Sequence, residues 1–175
     1  MWIVCSGNGA LALGMADFCR ALPFPGDAYL LVDYPGYGEC EGSPDPDTIR
    51  ENLRSAAALI AAEEFKLRRA VPISPFTSMM EMTQVVLKVP LGFIVRHRFD
   101  NRTGLAALKE ADGLAWLFHG TRDEVIPVGM SRTLAAEFPK TMTFKEIPDA
   151  DHDSIIGLAL QPIMQAMGES RRPKM

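Results

Sequence analysis

The chain has 175 residues, of which 47% are hydrophobic and 23% are charged, and its formal net charge is −4. This composition is typical of a globular protein and argues against a nucleic-acid-binding surface, which needs clustered positive charge. No apolar run reaches the roughly 18 residues of a membrane-spanning helix, so we expect no membrane span. The length predicts a single domain over residues 1–168, followed by a basic tail over residues 169–175.

Five short apolar runs alternate with longer helical patterns, which predicts an α/β domain with a mostly parallel sheet. The predicted strands are Trp2–Cys5, Tyr29–Asp33, Ala70–Ser74, Ala115–His119 and Thr143–Ile147. Charged residues interrupt only the last of these runs, which places it at an edge of the sheet. The predicted helices are Leu11–Leu22, Thr48–Phe65, Met79–Lys88 with Ser78 as its cap, Val128–Phe138 and Ser154–Met167.

The cysteines and histidines indicate in which cellular compartment the protein is expected and whether a metal site is expected. Cys5, Cys19 and Cys40 are odd in number and lack C-x-x-C spacing, which favours reduced cysteines in a cytosolic protein. The apolar start Met1–Cys5 is too short for a signal peptide and has no basic leader, so we expect a cytoplasmic protein. The three histidines lack metal-ligand spacing, and we expect neither a metal nor a cofactor.

Four segments occur in the order of the landmarks of one catalytic scaffold. They are Ser6-Gly7-Asn8-Gly9, Asp33-Tyr34-Pro35-Gly36-Tyr37-Gly38, Ser74-Pro75-Phe76-Thr77-Ser78 and His119-Gly120-Thr121-Arg122-Asp123. The second continues to Pro44 as a long and specific pattern, Asp-Tyr-x-Gly-Tyr-Gly-x-x-x-Gly-x-Pro. Together the segments resemble α/β-hydrolases of the serine-aminopeptidase-like and monoglyceride-lipase-like branch. The resemblance runs from Ser6 to His152 with one internal gap, and it implies a shortened three-layer α/β/α domain with a mostly parallel sheet.

The resemblance also implies roles for individual residues. Asp123 matches the acidic member of the family's catalytic triad, and His152, which follows the last strand, matches the general base. The turn Gly7-Asn8-Gly9 matches an oxyanion loop, whose backbone N–H groups would point at a developing negative charge. Asp33 and the glycines that follow it shape their loop in this family and are not catalytic.

The nucleophile of this family is missing, because no G-x-S-x-G elbow occurs in the chain. The family places its serine on a strained turn between a strand and a helix, flanked by glycines. Here Asn52-Leu53-Arg54 stands where Ser-x-Gly should be. Ser74 is a weak substitute, because Pro75 follows it and has no N–H to donate to an oxyanion hole. The sequence therefore leaves the nucleophile unknown.

Three functional interpretations stay open. An active protein would hydrolyse an ester, thioester or amide bond of a small acyl or peptide-like substrate, but the absent elbow favours an impaired or inactive form. A non-catalytic ligand-binding or regulatory domain is the second interpretation. The third is an NAD(P)-binding protein, since Gly7-Asn8-Gly9-Ala10-Leu11-Ala12 matches G-x-G-x-x-A and Asp33 ends the next strand. This last interpretation is less favoured, because Asp33 lies beyond the usual offset and a dinucleotide fold does not need the loop to Pro44.

Overall fold

The computed structural model describes residues 2–5, 11–33, 41, 68–88 and 100–171. The chain divides into two compact units, residues 1–67 and residues 68–175. The single domain over residues 1–168 stays a prediction, and the predicted helix Thr48–Phe65 lies outside the described residues. The described elements of the first unit are β1 (Trp2–Cys5), a 3-10 helix (Ala12–Met15), α1 (Ala16–Ala21) and β2 (Tyr29–Val32).

The second unit contains more elements, and its strands lie in one sheet. Its elements are β3 (Arg69–Ala70), α2 (Met79–Leu87), α3 (Asn101–Glu110), β4 (Leu114–Gly120), α4 (Val128–Glu137), β5 (Met142–Ile147), α5 (Ile155–Leu158) and α6 (Leu160–Ser170). All five predicted strands therefore occur, β1 with the predicted boundaries and the other four with shifted ones.

In the first unit, β1 and β2 pair in parallel. The predicted helix over residues 11–22 is a 3-10 turn followed by α1. The Asp33 carboxylate accepts a hydrogen bond from the N–H of Ala12 at 2.5 Å, which satisfies one of the free amides at the start of the helical segment. The segment ends at Ala21 because Leu22 adopts an extended backbone before Pro23, as residues preceding proline tend to do.

In the second unit, β3, β4 and β5 form a parallel sheet with β4 in the middle. All of β4 after its first residue is buried, as expected for a central parallel strand covered on both faces. Exposed and less exposed residues alternate along β5. Within the described residues β5 lies at the edge of the sheet, which confirms the position that its charged residues predict.

The segment after β3 follows β4 beyond the end of the regular ladder. Pro72 has no N–H, so regular pairing ends at Ala70 rather than continuing over the predicted strand Ala70–Ser74. Nevertheless, Phe118 N–H donates to the Pro72 carbonyl at 3.1 Å, and Ser74 N–H donates to the Phe118 carbonyl at 2.8 Å. Ser74 is thus held beside the central strand.

Helices α3, α4 and α6 pack against β4. The largest fully buried apolar side chains of this core are Leu105, Leu108, Leu117, Leu134, Ile155 and Ile163. The sequence patterns do not predict α3, because Gly104 and a polar first turn weaken its helical signal. Its start is fixed by the Asp100 carboxylate, which accepts the N–H of Arg102 at 2.9 Å as an N-cap.

Local hydrogen bonding explains the boundaries of two further helices. Ser78 caps α2 as predicted, because its hydroxyl accepts the N–H of Glu81 at 3.2 Å. The predicted helix Ser154–Met167 is instead two helices that meet at Ala159. Pro162 is the third residue of α6, where the missing N–H would have no partner in the helix anyway.

A charged network connects the three helices α2, α3 and α4. Arg102 donates to Glu81 on α2 at 2.9 Å and to Glu137 on α4 at 2.7 Å. The buried Thr77 hydroxyl also donates to the Glu81 carboxylate, and this bond, together with Arg102, lowers the pKa of Glu81. The network therefore fixes the chain immediately after Ser74. Within the described ranges, no helix is long and apolar enough to cross a bilayer.

The turn after β4 fits tightly against the turn after β5. A Cβ atom added to Gly120 would lie 2.3 Å from the backbone oxygen of Ala150. The same Ala150 oxygen accepts the N–H of Arg122 at 2.9 Å, and Thr121 N–H donates to the Ile147 carbonyl at 3.1 Å. Only glycine permits this approach, so Gly120 ties the two turns together.

We expect Gly120→Ala to lower the free energy of unfolding by about 2 kcal/mol or more, because backbone must move to admit the methyl group. The control is Gly129→Ala in α4, where an added Cβ meets nothing within 4 Å. That variant should be neutral or stabilised by up to about 1 kcal/mol, since alanine favours helix. Urea unfolding of both variants tests the expectation, and equal midpoints would contradict it.

Candidate active site

Three side chains predicted to matter follow the three strands of the second sheet. Ser74 follows the β3 segment, Asp123 follows β4 and His152 follows β5. The carboxyl ends of parallel strands meet at one edge of a sheet, which is where α/β proteins place their sites. The sheet therefore explains how residues far apart in sequence come to lie together.

Asp123 is buried and accepts hydrogen bonds at both carboxylate oxygens. Oδ1 accepts the backbone N–H groups of Val125 at 3.0 Å and Ile126 at 2.8 Å. Oδ2 lies 2.9 Å from His152 Nδ1. Burial by itself would raise the pKa of Asp123, but the Ile126 amide, His152 and the Ser74 hydroxyl together hold it below its usual value. Asp123 is therefore ionised at neutral pH.

His152 is held by a small hydrogen-bonded turn at its own backbone. The Asp151 carboxylate accepts the N–H groups of Asp153 at 3.1 Å and Ser154 at 2.8 Å, and the Ser154 hydroxyl accepts the Asp151 N–H at 3.0 Å. This turn directs the imidazole towards Asp123. Because an ionised carboxylate can only accept, Nδ1 carries the proton and Nε2 carries the lone pair when the ring is neutral.

His119 lies at the end of β4 and is completely buried. Its Nε2–H donates to the Ile126 carbonyl at 2.7 Å, so its Nδ1 accepts from the Ser131 hydroxyl at 2.6 Å. Burial lowers the pKa of His119 and keeps the ring neutral. Nε2 is also 3.3 Å from Asp123 Oδ2. His119 thus contacts the Asp123 carboxylate, and Ser131 holds the His119 ring in place. No sequence motif indicated the contribution of Ser131.

Ser74 combines an unusual backbone with an unusual side-chain environment. Its φ angle is +45°, a left-handed value that non-glycine residues rarely adopt. The residue is 5% exposed, and its hydroxyl makes no hydrogen bond of normal geometry within the described residues. The hydroxyl is nevertheless close enough to Asp123 to lower the pKa of that carboxyl. Ser74 therefore belongs to the surroundings of the Asp123 carboxylate.

The remaining predicted residues lie outside the described ranges or within the first unit. Gly7, Asn8 and Gly9 lie outside the described residues, so the oxyanion loop stays a prediction. Asp33 is bonded to Ala12 within the first unit, in keeping with its structural role. Within the described part of the chain, no three potential metal-ligating side chains cluster.

Comparison with known proteins gives distant sequence relatives. No protein-family model matches the chain. Two uncharacterised proteins of Mycobacterium tuberculosis, from strains CDC 1551 and H37Rv, are each 25% identical to it over 176 residues. The match covers 86% of this chain and 62% of each relative. The chain therefore spans less than two thirds of the length of these relatives.

Two solved structures are similar over nearly the whole chain. A Paleococcus ferrophilus monoacylglycerol lipase has a TM-score of 0.59 at 20% identity, over 96% of this chain and 92% of that one. Alpha/beta hydrolase domain-containing protein 10 from mouse has a TM-score of 0.55 at 15% identity, over 96% of this chain and 89% of that one. At these identities the likeness shows the fold alone. It confirms the predicted class, an α/β protein with parallel strands similar to α/β-hydrolases.

The lowered pKa of Asp123 predicts how stability depends on pH. A folded-state pKa below the unfolded value of about 4 stabilises the protein above that value, and the contribution is lost as pH falls towards the folded pKa. We expect Asp123→Asn to cost about 1–3 kcal/mol at neutral pH and progressively less below about pH 4. Urea unfolding across this range measures the difference.

The matched control is Glu124→Gln, which removes the same charge from the adjacent, exposed side chain. Its unfolding midpoint should stay close to that of the wild type at every pH. An Asp123→Asn penalty that is equally large above and below the unfolded pKa would show that the ionised carboxylate is not its cause.

Proposed function

We propose that this chain is an α/β-hydrolase relative that retains the acid and base of a serine hydrolase and has lost its nucleophile. One observation supports the retained machinery, namely the 2.9 Å contact between the ionised, buried Asp123 and His152 Nδ1. The lost nucleophile rests on the sequence, which holds no G-x-S-x-G. The protein is then impaired or inactive in Ser-type hydrolysis of ester, thioester or amide bonds.

The surroundings of the Asp123–His152 pair favour a small acyl ligand. Val125, two residues after Asp123, and Leu158, in the helix after the His152 turn, are each 56% exposed. Each of the two segments that carry the pair thus also carries one exposed aliphatic side chain. We therefore also propose, as the alternative to residual catalysis, a domain that binds an acyl ligand without turnover. A cytoplasmic location and the lack of a cofactor stay predictions.

A fluorophosphonate probe tests the loss of the nucleophile directly, because it reacts with serines that a neighbouring histidine activates. We expect no labelling of the full-length chain under conditions in which an active serine hydrolase, added as the positive control, is labelled completely. Labelling of any serine that disappears in His152→Gln would contradict the proposal.

The dinucleotide interpretation has its own test in thermal unfolding. A ligand that binds the folded state raises the melting temperature, by an amount set by its concentration relative to Kd. We expect no shift with NAD(H) or NADP(H), because Asp33 is already bonded to the backbone N–H of Ala12. A saturable increase that Asp33→Asn abolishes would support a dinucleotide-binding protein instead.

A further inference from the structure

The second ring nitrogen of His152 faces a different environment from the first. Nδ1 is held by Asp123 at 2.9 Å. Nε2 has no hydrogen-bond partner within the ranges that the structure describes, and the side chain is 36% exposed. A basic nitrogen that is both oriented by a carboxylate and reachable by solvent can accept a proton from water.

Ser74 cannot take the place of water at this nitrogen in the observed arrangement. Its hydroxyl has no hydrogen-bond partner among the described residues and so makes no bond to His152 Nε2, whereas a nucleophilic serine must donate to that nitrogen. The hydroxyl is also buried, and Pro75 supplies no N–H next to it. Ser74 therefore belongs to the surroundings of the carboxylate.

We propose that the Asp123–His152 pair acts as a general base that activates water directly, so that hydrolysis occurs without an acyl-enzyme. Water oxygen bonds to the acyl carbon while His152 Nε2 takes one water proton. The bond to the leaving oxygen or sulfur then breaks, and that atom receives the proton from Nε2. The products are a carboxylic acid and an alcohol or thiol, and no oxidant, reductant or cofactor is consumed.

This inference rests on the proposed function and narrows its substrate class. A thiol or a phenol leaves readily because its anion is comparatively stable, whereas an amine must be protonated before it leaves. One histidine without a serine intermediate therefore favours thioesters and aryl esters over amides. A short aliphatic acyl group suits the test, because the segments that carry Asp123 and His152 each also carry one exposed aliphatic side chain, Val125 and Leu158.

The test compares hydrolysis of 4-nitrophenyl butyrate and of a butyryl thioester by the full chain and its variants. General acid–base catalysis contributes about 10²–10⁴-fold, so His152→Gln should lower kcat/KM by about 100-fold or more. Asp123→Asn should lower it similarly, because the ring loses the carboxylate that fixes its tautomer. Glu124→Gln, which changes the adjacent exposed carboxylate, should stay within about twofold of the wild type.

Two further measurements distinguish this inference from the proposed function. Product release should be linear from the first turnover, and intact-mass spectrometry should show no acylated protein during hydrolysis. A burst with an acylated serine would overturn both proposals, because it would show a nucleophile. Hydrolysis that is equal in the wild type and in a folded His152→Gln variant, with no fluorophosphonate labelling, would overturn only the water-activating role.

Discussion

A buried carboxylate stays ionised only if enough donors surround it, and Asp123 receives its donors from two separate turns. Its own turn supplies the amides of Val125 and Ile126, while the turn after β5 supplies His152. Because the donors come from both turns, displacing either turn leaves one oxygen of the buried carboxylate without its partner. The position of His152 and the ionisation of Asp123 therefore depend on each other.

The backbone of the second unit is built to keep these two turns in place. Parallel pairing of β4 and β5 brings their carboxyl ends together, and Gly120 lets the turns touch at Ala150. The Asp151–Ser154 bonds then fix the local direction of His152. None of these contacts involves a nucleophile, so the hydrogen bond between the carboxylate and the imidazole does not depend on one.

The backbone and side chain of Ser74 bear on whether this residue could serve as a nucleophile. A left-handed serine between a strand and a helix is what a strained elbow would show, and its φ of +45° fits that description. Its hydroxyl, however, is buried and makes no hydrogen bond to His152 within the described residues. Unusual backbone geometry marks the residue as part of the site, but chemistry depends on which ring nitrogen a hydroxyl reaches.

The sequence by itself determined the five strands, the edge position of β5, the cap at Ser78 and the candidate residues Asp123 and His152. These follow from local apolar periodicity, from one serine hydroxyl near its own helix, and from motifs within single loops. The sequence patterns did not predict α3, because Gly104 weakens the helical signal of a segment that is stabilised by burial of Leu105 and Leu108. They also predicted one helix where the structure has two that meet at Ala159.

Only the tertiary structure decided how the site is assembled. Three features depend on contacts between distant segments. They are the hydrogen bond between Asp123 and a histidine 29 residues away, the bond between His119 and Ser131, and the burial of Ser74 beside β4. Burial and hydrogen bonding set the charge of a carboxylate, and both arise from neighbours that parallel strands bring together. No local pattern carries that information, because it belongs to the packed sheet.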